Sequence, residues 1–356
     1  MNKRIKIFII IGIAVIGIAL TVFLSFLNNS KTTDEITENT EAFSLIQIHQ
    51  EQILEVLEVI DEKAELVFNP PVMYTVIPEN PRRGEMVTIG VNTKEIEALL
   101  IVDGRQLGKT KFFTIPAEGE NTEFRVAFLA IPATARAGSA NIHMINEWGA
   151  FYEIPITIAP REFRSETLHL NPAVTTLVTE PNPQRVREAE ILWGIWSTTG
   201  NTIYHSGRHL LPVTTTRITS PFGFRRTNVF SNGTSSSSIH TGIDYGLPTG
   251  TEVRSSGRGM VRLSRMRILT GNSVVIEHAP GIYSMYYHLD SVLANENTIV
   301  EAGALIGTVG STGFSTGPHL HWEFRVSGEY VDPDIFVSRP LLDKNLIISR
   351  IFSNED

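Results

Sequence analysis

Five residues in the C-terminal third of the chain have side chains that could bind a metal and support hydrolysis: His240, Asp244, His288, His319 and His321. They lie in the strings HTGIDYG, YYHLD and GPHLHWE. Neutral imidazoles and a carboxylate together suit zinc, and three protein ligands leave the fourth tetrahedral position for a reactive water. The two remaining histidines would lie close to that water, where they could move protons or stabilise developing charge. These residue types predict a zinc-dependent hydrolase.

The elements predicted around these residues would bring them to one cleft. His319 and His321 lie in PHLHWEFRV, which has the composition of a β-strand, and residues i and i+2 of a strand point to the same face. Asp244 lies in the apolar stretch IDYGL, and His240 follows a loop rich in serine, glycine and asparagine. His288 lies at the end of the aromatic, strand-like run MYYHL. Spacing alone leaves open which member of the His-x-His pair would bind the metal.

Residues 7–27 form an uncharged apolar run that follows the basic segment 2–6. As a helix the run would reach about 31 Å, close to the thickness of the hydrocarbon core of a bilayer. Basic residues before it and acidic residues after it predict that the N-terminus lies in the cytoplasm and the rest of the chain outside. A cleaved signal peptide is the alternative, but the run is long and no small-x-small cleavage site follows in LSFLNNSK. We therefore expect a single-pass anchor in the cytoplasmic membrane, with the hydrolytic site periplasmic or extracellular.

The composition excludes several kinds of chemistry. The chain has no cysteine, which rules out disulfides, thiolate metal ligands and a cysteine nucleophile. The net charge of −8 arises entirely between residues 28 and 69, which hold two lysines and ten acids. Residues 210–340 hold ten arginines and ten acids, so this part is neutral. A nucleic-acid partner is not expected, because it would call for a strongly basic domain.

From about Thr219 to Pro333 the sequence resembles the lysostaphin-type zinc endopeptidases, the family that includes LytM and cleaves peptidoglycan cross-links. Seven spaced segments carry the resemblance: SPFGFR, HTGIDYG, PTGTEV, GNSVVIEH, YYHL, AGALIGTVGSTGFSTGPHLHWE and VDP. The resemblance implies a compact fold of two layers of antiparallel sheet. It also implies that zinc is bound by His240, Asp244 and His321, and that the catalytic residues are His288 and His319. How those two divide their work is left open. No His-Glu-x-x-His motif exists, so no glutamate general base of that kind is expected.

The chain is predicted to be mainly β, in several segments. Apolar residues at helical spacing between 42 and 66 predict a stalk helix, or else a helix packed on its own chain. Short β-branched segments then predict an immunoglobulin-like sandwich without catalytic clusters, a spacer or a docking module. An envelope or division protein could bind the sandwich or the stalk helix. The expected order is a cytoplasmic basic tail (1–6), a transmembrane anchor (7–27), an acidic tether and stalk helix (28–69), the sandwich (70–160), a connector with a helix (161–212), the zinc endopeptidase domain (213–340) and a C-terminal tail (341–356).

Other conspicuous residues are interpreted as structural. Glu323 and Tyr245 are expected to support the fold or the ligands, not to act as catalysts. Three histidines outside the matched positions are expected to be structural or on the surface: His205, His209 and His278. Five arginines could form a basic stripe for anionic wall polymers or simply a solvated face: Arg254, Arg258, Arg262, Arg265 and Arg267.

The expected function is hydrolysis of peptide bonds in peptidoglycan stem peptides or cross-bridges by a membrane-anchored enzyme. One alternative is a catalytically silent relative that binds and activates a partner wall hydrolase. Such relatives usually lose metal ligands, and this chain retains all three. A second alternative is a metalloprotease acting on a protein substrate. Which peptide bond is cut cannot be read from the residues.

Overall fold

The computed structural model describes residues 73–93, 95–116, 123–146, 151–197, 200–215 and 217–352. The basic tail, anchor, tether and stalk helix predicted for residues 1–69 lie outside this part of the chain. Among the residues it describes, no helix is long and apolar enough to cross a membrane.

Eight strands build two four-stranded antiparallel sheets that pack face to face. Alternation along the strands sends one set of side chains into the space between the sheets, where Val87, Ile89, Leu100 and Ile142 are fully buried. The first sheet has the order β1-β2-β6-β5 and the second the order β4-β3-β7-β8. The strands are β1 (Tyr74–Ile77), β2 (Met86–Val91), β3 (Glu95–Val102), β4 (Arg105–Lys111), β5 (Phe113–Pro116), β6 (Glu123–Ala130), β7 (Gly138–Asn146) and β8 (Phe151–Ile158).

A connector of one strand and two helices follows. It consists of β9 (Ser165–His169), α1 (Pro172–Thr179) and α2 (Pro183–Ser197). Helix α1 begins where the Asn171 side chain accepts a hydrogen bond from the Val174 N–H at 2.9 Å, which satisfies one of its free amide groups. Helix α2 buries Leu192 against Tyr283 and Met285 of the next domain. The connector is therefore packed on the domain that carries the histidine motifs.

Ten further strands form one large antiparallel sheet, with the main order β10-β13-β20-β17-β16-β15-β18. Strand β19 pairs with β14 and β17, and β21 pairs with β20. Trp322, Tyr286 and Phe324 are fully buried in its core. The strands after the connector, including the hairpin β11–β12, are β10 (Ile218–Ser220), β11 (Arg225–Val229), β12 (Ser235–Ile239), β13 (Gly242–Tyr245), β14 (Glu252–Arg254), β15 (Gly259–Arg267), β16 (Gly271–Ala279), β17 (Ile282–Val292), β18 (Ile299–Val300), β19 (Leu305–Val309), β20 (Leu320–Val326) and β21 (Glu329–Val331).

The hairpin β11–β12 joins the connector in a separate three-stranded sheet. Strand β11 pairs with β12 in the antiparallel sense and with β9 in the parallel sense, so that Arg226 lies opposite both Ser238 and Glu166. This pairing places the connector strand at the edge of the hairpin whose second strand leads into His240.

Two short helices, α3 (Asp334–Ser338) and α4 (Lys344–Phe352), complete the described chain. Residues 341–356 are predicted as a tail, but the structure has helix α4 there, with Ile347 and Ile351 buried against the first four-stranded sheet. A Cβ on Gly90 of β2 would lie 2.4 Å from Cγ2 of Ile347, so this close approach requires glycine. The prediction of a mainly β, antiparallel protein with few helices is confirmed.

Candidate active site

Three neighbouring strands of the large sheet position the five predicted residues. Asp244 on β13 lies directly opposite His321 on β20, and His240 precedes β13 by two residues. On the other side of β20, β17 pairs Tyr287 with His321 and then continues to His288. His319 lies just before β20. All five predicted residues line the same cleft.

The ligand atoms of His240, Asp244 and His321 form a small triangle. The Asp244 Oδ1 atom lies 3.0 Å from His240 Nε2 and 2.8 Å from His321 Nδ1, and the two nitrogens are 3.1 Å apart. All three residues are buried. Zinc with bonds of about 2.0–2.1 Å would separate tetrahedral ligand atoms by about 3.3 Å, so the triangle is close to the required size. Among the described residues, this is the one group of three or more potential ligands that converges closely enough for a metal.

Each histidine of the triangle is oriented through its other ring nitrogen. His240 donates from Nδ1 to the Pro221 carbonyl at 2.8 Å, and His321 donates from Nε2 to Glu323 Oε2 at 3.2 Å. These bonds orient each ring so that its other nitrogen faces the centre of the triangle, where it would give up its proton to bind a metal. Glu323, expected only to support the fold or the ligands, therefore orients the His321 ring.

Close backbone packing fixes β13 against β20 at the site. A Cβ on Gly242 would lie 2.3 Å from the Trp322 carbonyl oxygen and 2.8 Å from His321 Nε2. Glycine at this position of the HTGIDYG string thus lets strands β13 and β20 approach each other.

The Asp244 carboxylate is held ionised. Burial alone would raise its pKa, but hydrogen bonds from His240 and His321 hold the pKa well below its usual range. Its second oxygen, Oδ2, accepts a hydrogen bond from Arg226 at 3.0 Å, and Arg226 also binds Glu166 at 2.5 Å. The sequence contains no signal for the Arg226–Glu166 pair, because the two residues are 60 positions apart.

His288 and His319 form a second pair beside the triangle. Their ring centroids are 4.7 Å apart. Each ring donates from Nδ1 to a backbone carbonyl at 2.8 Å, His288 to Thr312 and His319 to Gly317, so Nε2 of each ring takes no part in these bonds. Burial, together with the nearby His319 and His321, lowers the pKa of His288 to about 3. His288 has φ 61°, an uncommon conformation for a residue other than glycine and one that clusters at functional sites.

The cleft has a volume of about 860 Å³ and walls from distant parts of the chain. Trp196 and Leu192 of helix α2 form part of one wall, and Phe314 and Ser238 contribute elsewhere. The connector therefore helps to shape the site.

The three histidines that are expected to be structural or on the surface form a separate cluster. The ring of His209 lies 4.5 Å from that of His205 and 4.7 Å from that of His278, centroid to centroid. None of the three lines the cleft. His209 and His278 are buried, which fits the interpretation of structural residues.

The five arginines of the predicted stripe each have a carboxylate within 4.0 Å. The pairs are Arg254 with Glu252, Arg258 with Glu301, Arg262 with Glu277, Arg265 with Glu296, and Arg267 with Glu188. Only Arg267 lines the cleft.

Comparison with known proteins agrees with the resemblance found in the sequence. Residues 238–333 match the model of peptidase family M23. The DD-carboxypeptidase/endopeptidase Mpg of Neisseria meningitidis is 43% identical over 127 residues, covering 36% of this chain and 28% of that protein. The peptidoglycan DD-endopeptidase ShyC of Vibrio cholerae is 36% identical over 141 residues, covering 38% of this chain and 32% of that protein. The chain thus matches about a third or less of the length of these relatives.

A solved structure from Pseudomonas aeruginosa, named as a peptidase M23, shares the fold. It is 21% identical, with a TM-score of 0.52, and the match covers 72% of this chain and 94% of that one. Over residues 238–333 the chain is therefore similar to peptidase family M23, and it is similar to proteins named as endopeptidases.

Proposed function

We propose that this protein is a zinc-dependent endopeptidase that hydrolyses peptide bonds in peptidoglycan stem peptides or cross-bridges. The observation that carries the proposal is the convergence of His240, Asp244 and His321 in an open cleft, with His288 and His319 beside them. The names of the relatives favour a bond between residues of D configuration.

The donor set fits zinc. Two imidazole nitrogens and one carboxylate oxygen match the ligand chemistry of catalytic zinc sites, and the hydrogen bonds to Pro221 and Glu323 present the correct nitrogens. Zinc bound by His240, Asp244 and His321 would lower the pKa of a water toward neutrality and polarise a carbonyl.

His288 and His319 would transfer protons and stabilise developing charge at the reacting peptide bond. The lowered pKa of His288 keeps its ring neutral near pH 7, so its Nε2 can accept a hydrogen bond from the attacking water and orient it. The Nδ1 bond to Gly317 fixes the His319 ring, whose Nε2 lies 3.8 Å from Asp244 Oδ1. Together the two rings would take up the proton, return it to the leaving amine, and stabilise charge on the carbonyl oxygen.

The proposal includes a location. Residues 7–27 would anchor the chain in the cytoplasmic membrane and leave the cleft outside, where peptidoglycan lies. The two packed four-stranded sheets would act as an immunoglobulin-like spacer or as a docking module for an envelope or division protein.

The test is hydrolysis by the full-length chain, solubilised in detergent, of purified sacculi and of an unfolded protein. We expect peptides to be released from sacculi, release to stop after chelation, and release to return with zinc. Cleavage of the protein alone would favour a protease with a different substrate. A zinc-loaded chain that releases nothing but accelerates a partner wall hydrolase would replace the proposal with the partner-binding alternative.

A further inference from the structure

Arg267 is a buried cation in the wall of the cleft whose hydrogen bonding is incomplete. Its side chain is only 9% exposed. Nη1 donates to Thr270 Oγ1 at 2.9 Å, but the buried Nε has no hydrogen-bond partner in the described part of the chain. The carboxylate paired with it, that of Glu188, is 4.0 Å from Nε and already accepts a bond from the Ile268 N–H at 3.0 Å. A buried guanidinium whose paired carboxylate lies 4.0 Å away has a weakly compensated charge, and a carboxylate in the cleft would compensate that charge through the Nη atoms.

Arg267 is one aromatic ring away from the proposed metal site. Its guanidinium lies near the Tyr287 phenol. The Tyr287 ring stacks on His321 with an interplanar angle of 5° and a centroid distance of 5.5 Å. Thr270, whose hydroxyl binds Arg267, also accepts a hydrogen bond from the His288 backbone N–H through its carbonyl oxygen, at 2.8 Å. A group bound by Arg267 would therefore lie within about one residue of the reacting peptide bond.

The other arginines in the cleft are less suited to bind a carboxylate there. Arg226 is neutralised by Glu166 and Asp244. Arg325 is paired with Glu323 and lies over the Trp196 ring at 4.8 Å. Arg217 also lines the cleft, but it is exposed to water, which weakens any ion pair it forms.

We infer that Arg267 binds a substrate carboxylate next to the scissile bond and thereby selects bonds between D-residues over glycine bridges. The inference rests on the proposed endopeptidase function and names its substrate class. In a cross-link between D-residues, the carbon attached to the scissile nitrogen carries a free carboxylate, whereas the interior of a glycine bridge carries none. Arg267 is a specificity residue in this account, because it contacts the substrate without taking part in proton transfer. A charge-assisted, two-point contact is the arrangement that arginine forms best with a carboxylate.

The first test compares two synthetic cross-linked peptides that differ only in whether that carboxylate is free or amidated. For the full-length, zinc-loaded chain we expect kcat/KM for the free acid to exceed that for the amide by about 10-fold or more. In Arg267→Gln the ratio should fall to about 1 while the rate on the amide stays within about 3-fold of the parent. Arg267→Lys should keep part of the preference, because it keeps the charge but loses the planar contact.

Two control variants separate this role from a general effect of arginine. Arg217→Gln removes the exposed cation of the same cleft and should leave the ratio unchanged. Arg265→Gln removes the cation two residues earlier on β15, which is paired with Glu296 outside the cleft, and should also leave it unchanged. A parent ratio near 1, an equal loss on both substrates in Arg267→Gln, or a ratio that depends on Arg217 instead would each overturn the inference.

A binding measurement keeps the inference independent of turnover. Calorimetry of the zinc-loaded chain with D-Ala–D-Ala and with its C-terminal amide should show tighter binding of the acid, and Arg267→Gln should abolish the difference. If the chain cleaves glycine bridges but not bonds between D-residues, the endopeptidase proposal stands and the inference is wrong. If the chain cleaves nothing, the proposed function fails, and the binding difference still decides whether Arg267 holds a carboxylate.

Discussion

Replacing Glu323 with glutamine should weaken zinc binding without removing a ligand. Glu323 is a fully buried acceptor for His321 Nε2–H, and its carboxylate also binds Thr241 and Arg325. Burial raises its pKa, but Arg325 and the hydrogen bond from His321 lower it to about 2, so the group is ionised at neutral pH. A charged acceptor makes the His321 imidazole a stronger ligand, and its negative charge also favours a nearby cation. Both effects are lost in Glu323→Gln.

The magnitude follows from the geometry of that bond. Loss of such a partner typically costs about 10- to 100-fold in metal affinity, which is about 1.4–2.8 kcal/mol. The His321–Glu323 distance of 3.2 Å is longer than the usual 2.7–2.9 Å of charge-assisted bonds. We therefore expect the lower part of the range, about 10- to 30-fold.

The matched control is Glu277→Gln. Glu277 is equally buried, at 2% exposure, and is paired with Arg262 away from the cleft. Both variants should lower the free energy of unfolding, because each leaves an arginine without its partner. Competition with a chromophoric chelator measures the zinc Kd, and urea unfolding of the metal-free chain measures the loss of stability. Equal zinc affinities for Glu323→Gln, Glu277→Gln and the parent would refute the argument that Glu323 tunes His321.

Two further predictions concern stability. Ile347→Ala should lower the free energy of unfolding by about 2–5 kcal/mol, because Ile347 is buried against Gly90. Leu346→Ala, at a partly exposed neighbour, should lower it far less. Urea unfolding measures both; if this segment were an unpacked tail, neither change would affect stability. Burial, with a smaller contribution from His205, lowers the pKa of His278 to about 3. Below the usual pKa of 6.5 the unfolded chain therefore binds a proton that the native chain does not. Stability should therefore fall as pH drops from about 6.5 toward 3, by about 2 kcal/mol at pH 5 from this group alone. Thermal unfolding of the metal-free chain measures the loss of stability between about pH 7.5 and 5. That loss should be smaller in His278→Gln by about 2 kcal/mol. An unchanged dependence of stability on pH would contradict the assignment.

The sequence carried most of the information about the five site residues, but not about the groups that hold them. Strand periodicity predicts that His319 and His321 point to one side, and the structure has both in the same cleft. The acceptors of their ring hydrogens cannot be found in this way: Gly317 contributes only a backbone carbonyl, and Glu323 is one of many acidic residues. Periodicity predicts which face of one strand or helix each side chain lies on, but it does not predict contacts between elements distant in sequence.

The long-range packing of the helices could not be predicted from the sequence either. The mainly β, antiparallel architecture follows from short β-branched segments and turn residues. The contact of helix α2 with the cleft depends on Leu192 meeting Tyr283, and that of helix α4 on Ile347 meeting Gly90. A helix of nine residues is unstable alone, and its sequence does not reveal which surface stabilises it.

The most direct test of the account is the zinc content and muropeptide release of the full-length chain beside His321→Ala and His319→Ala. The parent should hold about one zinc per chain and release peptides from sacculi. His321→Ala should lose both metal and activity, whereas His319→Ala should keep the metal and lose activity. A His319→Ala variant that remains active, or a His321→Ala variant that still binds zinc with the parent's affinity, would contradict the assignment of the site.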